Sequence, residues 1–271
     1  MTTQHSTVLK KTELVDKQSI LEEIVFGVLG MASNYSSMVK DEEVMGKTVV
    51  GLDALVDKKL AETYHRLDAN AFEGEAAPAY MKLDTVIMGG CPVAMMLPNR
   101  YANNDLKKEI GAEEMEYVPI AFLDLHKTGE GKFVASGLGV SKQYHGKGLS
   151  KYMIYGAAKI TGMEELVIPT QVHNAAAQFA WMHLAPLTVL SADVHHEEAD
   201  TIIYRANMPN PVKGILDPIS KDYDKFAGKI KSIPFADVKE KLAGRDAQVI
   251  GYSPNGLLVV SYQDVKASRA A

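Results

Sequence analysis

The sequence has few of the features that mark extracellular, membrane or nucleic-acid-binding proteins. Among its 271 residues Cys91 is the one cysteine, which excludes an intrachain disulfide and a zinc site built on several cysteines. Its most apolar helix-like run, Ile20–Ala32, carries Glu22 and Glu23 and is too short to span a bilayer. The first residues lack the apolar core of a signal peptide. The sequence also lacks an excess of basic over acidic residues, since its net charge is -5. We therefore expect a cytoplasmic protein that binds neither membranes nor nucleic acids.

The composition is that of a folded globular protein, with 46% hydrophobic and 23% charged residues. Residues 1–80 are predicted to form a helical extension, because their apolar residues recur at helical spacing. One helix is predicted from Leu14, Leu21, Ile24, Val25 and Val28, and a second from Leu52, Leu55, Val56, Leu60 and Tyr64. The small, acidic stretch 70–78 is typical of a linker.

After residue 80 the pattern favours strands mixed with helices, so residues 81–210 are predicted to form a core. Strands are predicted at 84–88, 92–97, 117–126, 133–140, 165–172, 188–194 and 201–207, and helices within 99–116 and at 149–160 and 175–184. The first two strands are predicted to pair as a hairpin around Gly89-Gly90. Residues 211–271 are predicted as a C-terminal extension with a helix and a hairpin, 248–252 with 257–262. The predicted fold class is α/β of the α+β type.

The most informative segment is FVASGLGVSKQYHGKGLSKYMI. A predicted strand ends at Val140, a short turn carries Gly146 and Gly148, and a helix follows at once. The first N–H groups of a helix have no intrahelical partner, so they form a ready site for an anion. Glycines let a phosphate approach the backbone closely, and Lys147 adds a positive charge.

Two other phosphate-binding loops do not fit this segment. A Walker A loop requires glycine where Ser141 stands, and Ser or Thr where Gly148 follows Lys147. The dinucleotide fingerprint would start at Gly137 and Gly139, but its third glycine is replaced by Lys142.

The segment resembles the acyl-CoA loop of the GNAT superfamily of N-acyltransferases, in which Arg/Gln-x-x-Gly-x-Gly/Ala opens a helix after a strand. Counting from Val140 places His145, Gly148 and Ser150 at the three motif positions. A rival register reads Gln143, Gly146 and Gly148 as a literal QxxGxG. Downstream, the family's Asn-opened helix, with Ala three residues on and often Tyr seven residues on, is matched by Asn174, Ala177 and Trp181.

The resemblance covers about residues 81–208 and implies a mixed, mostly antiparallel sheet flanked by helices. It also implies that the strands ending at Val140 and Val172 splay apart, so that pantetheine bonds the backbone between them. The implied cofactor-binding residues are Leu138, Gly139, Val140, His145, Gly146, Lys147, Gly148, Leu149, Ser150, Asn174 and Trp181. Acetyl-CoA or another acyl-CoA is the implied co-substrate, and no metal is expected.

Four positions depart from the family pattern. His145 replaces Arg or Gln, and Ser150 replaces Gly or Ala. Trp181 replaces a Tyr that protonates the leaving thiolate in many members, and Ser136 stands where some members carry a glutamate. Candidates for the general base are Asp124 and His126, beside the motif strand, and His173, before Asn174.

The function implied is transfer of an acyl group, most simply acetyl, to an amine of a small molecule or peptide. Two alternatives stay open within the resemblance: a longer-chain acyltransferase using acyl-CoA or acyl carrier protein, and a non-catalytic acyl-CoA sensor or scaffold. A third reading is an α/β domain whose glycine turn binds nothing. The hairpin 248–262 is a candidate contact for a homodimer.

Other chemically suggestive residues are interpreted as structural. The segment His195-His196-Glu197-Glu198 is predicted to be a solvated turn rather than a metal site. Cys91 is predicted to be a packed residue rather than a nucleophile, and Met95 and Met96 to fill the core.

Overall fold

The structure is a computed structural model. It describes residues 17–30, 39, 43–44, 46–53, 58–72, 90–171, 174–182, 187–193, 201–207, 226, 228–242, 245, 247–253, 255–261 and 263–264.

The helices have mostly short spans. They are α1 (Lys17–Glu23), α2 (Lys58–Ala71), α3 (Asn104–Ile110), α4 (Leu149–Thr161), α5 (Ala175–Met182) and α6 (Val238–Leu242). Short 3-10 turns occupy Asn99–Tyr101, Lys142–Tyr144 and Phe235–Asp237. None of the described helices is long and apolar enough to cross a lipid bilayer.

The strands begin before α2 and continue to the C-terminal part of the chain. They are β1 (Val25–Gly30), β2 (Glu43–Val44), β3 (Lys47–Asp53), β4 (Val93–Pro98), β5 (Tyr117–Gly129), β6 (Lys132–Val140), β7 (Glu165–Gln171), β8 (Leu187–Asp193), β9 (Thr201–Asn207), β10 (Lys231–Pro234), β11 (Ala247–Ser253) and β12 (Gly256–Ser261).

These strands form one twelve-stranded sheet in the order β10-β12-β11-β8-β9-β7-β6-β5-β4-β1-β3-β2. The pairs β1/β3 and β6/β7 are parallel and the remaining pairs are antiparallel, so the predicted mixed, mostly antiparallel sheet is confirmed. Strands from all three predicted regions belong to this sheet. The division at residues 80 and 210 stays a prediction.

Helices cover both faces of the central strands. Phe26, Met95 and Ala121 are cross-strand partners and therefore lie on one face, against which α4 packs through Gly156. The neighbouring Phe122 points to the other face, where α2 places Tyr64 5.3 Å from it, between ring centroids. The sheet is thereby buried on both sides.

The first predicted helix is confirmed over α1, which contains Leu21, but its continuation through Val25 and Val28 is wrong, because residues 25–30 form β1. Both faces of β1 are largely buried, and a strand buried on both faces has no alternation to separate it from a helix. Leu52 likewise lies in β3, and the second helix starts only at Lys58; Leu55 and Val56 lie outside the described residues.

The predicted linker and first hairpin also need correction. Asn70 and Ala71 belong to α2, and Asn70 is buried rather than part of a solvated linker. Strand β4 pairs with β1 on one edge and β5 on the other, so neither edge is left for the predicted arm 84–88, which lies outside the described residues.

The predicted elements from residue 99 onwards are largely confirmed. The insert 99–116 contains α3, and β5 and β6 form an antiparallel pair. Helix α4 ends where Gly162 adopts a left-handed conformation, and β8 pairs with β9, as β11 does with β12.

Replacing Gly156 with alanine tests the packing of α4 on β1. An alanine Cβ would overlap the Phe26 ring, which is fully buried. Alanine is the better helix former by about 1 kcal/mol, but overpacking a core typically costs about 1–3 kcal/mol. We expect Gly156→Ala to lower the free energy of unfolding, measured by urea denaturation.

Gly129→Ala is the matched control, since its Cβ would lie 3.7 Å from the nearest side-chain atom of Lys132, an ordinary contact. We expect little change for this variant. A Gly156→Ala protein more stable than wild type would contradict the packing of α4 on β1.

Candidate functional site

The sheet opens between the parallel strands β6 and β7. They pair at Lys132 with Glu165, at Phe133 with Leu166 and at Val134 with Val167. Beyond these pairs β6 continues to Val140 and β7 to Gln171 with no further pairing between these two described strands. The splay expected from the sequence is therefore present.

A β-bulge lies at the point where the two strands separate. Asp124 of β5 pairs with Gly137, while the next residue, Leu125, pairs with Ala135, so Ser136 is the extra residue in β6. A bulge locally interrupts the ladder and changes the direction of side chains, and bulges are common next to active sites. Ser136 is exposed here, at the opening.

A cavity of about 370 Å³ fills the opening between the strands. Residues 135–138 of β6 and 169–171 of β7 form two of its walls. Asp68 and Phe72, at the end of α2, and Asn174 and Trp181, at α5, line it as well. The lining of this space therefore includes both polar and apolar groups.

A larger cavity, of about 730 Å³, continues from the first toward the glycine turn. The two cavities share Phe72, Leu138, Asn174 and Ala177, so they form one cleft. The larger one reaches the turn and the first residues of α4, namely His145, Gly146, Gly148, Leu149 and Ser150. The cleft thus joins the opened sheet edge to a helix N-terminus.

The turn has the geometry that its glycines allow. Gly146 has φ 74° and Gly148 has φ 68°, both in the left-handed region that glycine adopts without strain. Gly148 is also the N-cap of α4 and supplies no side-chain cap to the N–H groups that open this helix. The helix therefore presents uncapped backbone donors beside the larger cavity.

Neighbouring helices hold the turn in place. The backbone N–H of Lys142 donates to Oδ1 of Asn70 at 3.0 Å, and the N–H of Asn103 donates to the Tyr144 hydroxyl at 3.0 Å. The N–H of Ser141 donates to the carbonyl of Ile120 at 2.9 Å, which ties the end of β6 to β5. Asn70 and Asn103 were not among the predicted residues, because their partners are distant in the chain.

His145 faces the strand that precedes it. Its Nε2 lies 2.6 Å from the carbonyl oxygen of Val140, to which it donates, so the imidazole braces the turn against the end of β6. His145 still borders the cleft, but its Nε2 is bonded to the Val140 carbonyl and is not available to a ligand. A contact between the other atoms of the His145 ring and a cofactor stays a prediction.

The backbone groups of β6 predicted to contact pantetheine point in two directions, toward the opening or toward β5. Because the N–H of Ser141 points to β5, strand alternation directs the peptide groups of Val140 and Leu138 toward the opening. Gly139, which pairs with Phe122, directs its own N–H and carbonyl groups toward β5. Gly139 borders the cleft through its Cα, and a Cβ there would overlap the Phe122 ring.

Asp124 is buried behind the cleft rather than in it. It is 2% exposed, and its Oδ1 accepts a hydrogen bond of 2.9 Å from the hydroxyl of Tyr64. Burial, the charge of Asp124 and this hydrogen bond raise the pKa of Tyr64 well above its usual range, so Tyr64 remains a donor. Oδ2 of Asp124 lies 3.1 Å from where a Cβ on Gly137 would be.

His126 lies closer to the opening than Asp124 does. Its Nε2 is 3.1 Å from the Oγ of Ser136, the bulge residue that borders the smaller cavity. This contact links the imidazole of His126 to the residue at the opening, and the role of His126 as a base stays a prediction. His173, the third predicted base, lies outside the described residues.

Asn174 and Trp181 both border the cleft. Oδ1 of Asn174 accepts a 2.9 Å hydrogen bond from the N–H of Ala177 and so caps α5. Trp181 is 4% exposed and lines the smaller cavity. Lys147 lies beside the turn, with its ammonium 5.9 Å from the centroid of the Tyr144 ring. The roles assigned to these residues by resemblance stay predictions.

Several residues that line the cleft were not among those predicted from the sequence, and Asp68, Phe72 and Thr170 are three of them. A signal for Asp68 was present, since it follows Leu67 and lies one turn after Tyr64, on the apolar side of α2. A carboxylate is rarely buried in a protein unless it is paired, so its position on this side of α2 is unusual.

The interpretation of Cys91, Met95 and Met96 as packed residues is confirmed. Met95 and Met96 are buried, and Cys91 is fully buried, so that desolvation raises the pKa of its thiol to about 12. The described residues contain no cluster of His, Cys, Asp or Glu that could hold a metal ion. The segment 195–198 lies outside them.

No protein-family model and no curated protein sequence matches this chain. The solved structures that resemble it include many N-acetyltransferases of the GNAT family. The NatC complex bound to Gag peptide and CoA is 15% identical, with 58% of this chain and 94% of that chain covered and a TM-score of 0.42. PaiA N-acetyltransferase from Thermoplasma acidophilum in complex with coenzyme A is 14% identical, with 58% and 95% covered and a TM-score of 0.38. At these identities the likeness concerns the fold alone.

The burial of Cys91 makes stability at alkaline pH a test of the core. Its thiol ionises near pH 9.0 when unfolded and near 12 when folded, so the folded state keeps a proton that the unfolded state loses. Its contribution is complete below pH 9.0 and is lost as pH rises toward 12. We expect the stability advantage of wild type over Cys91→Ala, measured by urea denaturation, to shrink by about 1 kcal/mol between pH 8 and pH 10. Parallel pH curves would contradict this burial.

Proposed function

We propose that this protein is an N-acyltransferase that uses an acyl-CoA, most simply acetyl-CoA, as its acyl donor. The observation that carries the proposal is the separation of β6 and β7 after Val134 and Val167, which opens a cleft running to the uncapped N-terminus of α4. A long ligand with an anionic end and an amide-bearing arm suits such a cleft, and coenzyme A has both.

The glycine turn would hold the pyrophosphate. Gly146 and Gly148 leave no side chain in front of the backbone, and the first N–H groups of α4 carry the positive end of the helix dipole. Lys147, in the same turn, adds a positive charge. This combination favours a doubly charged phosphate group over a neutral ligand.

The opened edge of β6 would hold the pantetheine arm. The N–H and carbonyl of Leu138 and the N–H of Val140 point toward the opening, while the Val140 carbonyl accepts from His145. The amides of pantetheine can continue the interrupted ladder at the three groups left. Asn174 and Ala177 form the opposite wall. Fixing the arm along β6 brings the thioester to the smaller cavity, next to the bulge at Ser136.

The smaller cavity would hold the acyl group and the attacking amine. A backbone N–H near the bulge is suited to hold the thioester carbonyl oxygen as negative charge develops on it. The walls there include Asp68, Ser136, Thr170 and Gln171, which favours a short acyl group over a long apolar chain. Trp181 cannot replace a tyrosine as an acid, because an indole N–H does not ionise in this range.

Titration calorimetry with CoA and acetyl-CoA tests the proposal. We expect Gly146→Asp to weaken binding at least tenfold, because it places a carboxylate where the phosphates would lie. Gly46→Asp is the matched control, since Gly46 and Gly146 have φ 70° and 74°, and a Cβ at either meets no described atom within 4 Å.

Two results would count against the proposal. A wild-type protein that binds neither ligand at millimolar concentration would remove it, and so would equal affinities for the two variants. Release of free thiol from acetyl-CoA, measured across a panel of amines, distinguishes a transferase from a protein that only binds acyl-CoA.

A further inference from the structure

A serine and a histidine meet where the sheet opens. Nε2 of His126, on β5, lies 3.1 Å from Oγ of Ser136, on the neighbouring strand β6. A hydroxyl within hydrogen-bond reach of an imidazole has the arrangement of an activated nucleophile, because the ring nitrogen can take the hydroxyl proton. The proposed function, in which an amine attacks the thioester directly, does not use this pair.

The β-bulge presents the serine to the cleft. Ser136 is the extra residue of the bulge, so it has no cross-strand partner in β5, and its side chain is exposed. It lines the smaller cavity, to which the proposed function brings the thioester of acyl-CoA. The Ser136 hydroxyl therefore borders the space that the acyl carbonyl would occupy.

A second hydroxyl at the same cavity shows what the histidine adds. Thr170 of β7 also lines the cavity, but its Oγ1 is buried with no hydrogen-bond partner among the described residues. A hydroxyl without an adjacent base is a weak nucleophile. In the described part of the chain, Ser136 is therefore the hydroxyl of the two that has a base beside it.

His126 is placed to pass the proton on. It is half-buried, so its ring meets both the Ser136 hydroxyl and solvent. Asp124 lies two residues earlier on the same face of β5, but it is 2% exposed and its Oδ1 accepts a hydrogen bond from the hydroxyl of Tyr64. The carboxylate therefore stays behind the cleft, and the imidazole is the base that reaches the serine.

We propose that Ser136 is a nucleophile, with His126 as its base, and that it accepts the acyl group from acyl-CoA before water or an amine removes it. This inference rests on the proposed function, because it adds a covalent intermediate to the same cleft. It also predicts that the protein hydrolyses acyl-CoA when no amine is present.

One histidine serves both halves of this reaction. Oγ of Ser136 attacks the thioester carbonyl carbon while its proton moves to Nε2 of His126. The C–S bond then breaks and the proton passes to the thiolate, which leaves free CoA and an acyl-serine. In the second half, water or an amine attacks the ester carbonyl and gives a proton to His126. The bond between the carbonyl carbon and Oγ breaks, and the proton returns to Ser136.

Labelling of the full chain with diisopropyl fluorophosphate tests the nucleophile. This reagent phosphorylates activated serines and stays bound, so the label accumulates even where an acyl-serine turns over. We expect wild type to be labelled at Ser136 and not at Ser232, an exposed serine of β10. Mass spectrometry of the digested protein locates the label.

His126→Gln keeps a hydrogen-bonding side chain beside Ser136 but removes the base. We expect it to be labelled at least tenfold more slowly than wild type. We also expect it to release thiol from acetyl-CoA, with no amine added, at least tenfold more slowly. His65→Gln is the matched control, because His65 is also half-buried and lines neither cavity, and we expect it to match wild type in both measurements.

Three results would overturn the assignment. The first is a wild-type protein that carries no label at Ser136, and the second is equal labelling of wild type and His126→Gln. The third comes from Ser136→Ala, which keeps the test independent of any change at His126: release of thiol without amine as fast as in wild type.

The CoA titration separates the two proposals. A wild-type protein that binds CoA but is not labelled at Ser136 overturns the acyl-serine and leaves the proposed function intact. A wild-type protein that does not bind CoA overturns the proposed function, and the acyl-serine with it, because no donor then reaches the serine.

Discussion

The separation of β6 from β7 is the feature on which the rest of the site depends. A parallel pair that stayed in register to its end would satisfy its own backbone groups and leave no room between the strands. Here pairing stops after Val134 and Val167, and the bulge at Ser136 follows at once. The peptide groups beyond the bulge are thereby directed to a cleft rather than to a neighbouring strand.

Helix α2 stabilises this opening from one face of the sheet. Its side chains contact Phe122, Asp124 and the backbone of Lys142, so one helix reaches the floor of the cleft and the glycine turn. Helix α4 packs on the opposite face and provides the N-terminus at which the cleft ends. Anion site and opened strand edge are therefore held by the same packed core.

The turn from β6 into α4 could be predicted from the sequence because its signals are local: a strand, paired glycines and the apolar face of a helix. Strand β1 could not be predicted, because both of its faces are largely buried and its sequence therefore shows no alternation of apolar and polar residues. The partners of β4 are distant strands, so a local hairpin was the wrong inference. Helical spacing places Asp68 on the apolar side of α2, but its position in the cleft depends on how α2 packs, which no short motif indicates.

Amide hydrogen exchange with and without CoA, resolved by residue with NMR, tests the central claim most directly. We expect CoA to slow exchange at Leu138 and Val140 and at the first residues of α4, whose N–H groups point to the cleft. Gly139, whose N–H points to β5, serves as the internal reference and is expected to change little. Protection confined to other parts of the chain, or no protection at all with saturating CoA, would contradict the claim that the separated strand β6 and the glycine turn bind the acyl donor.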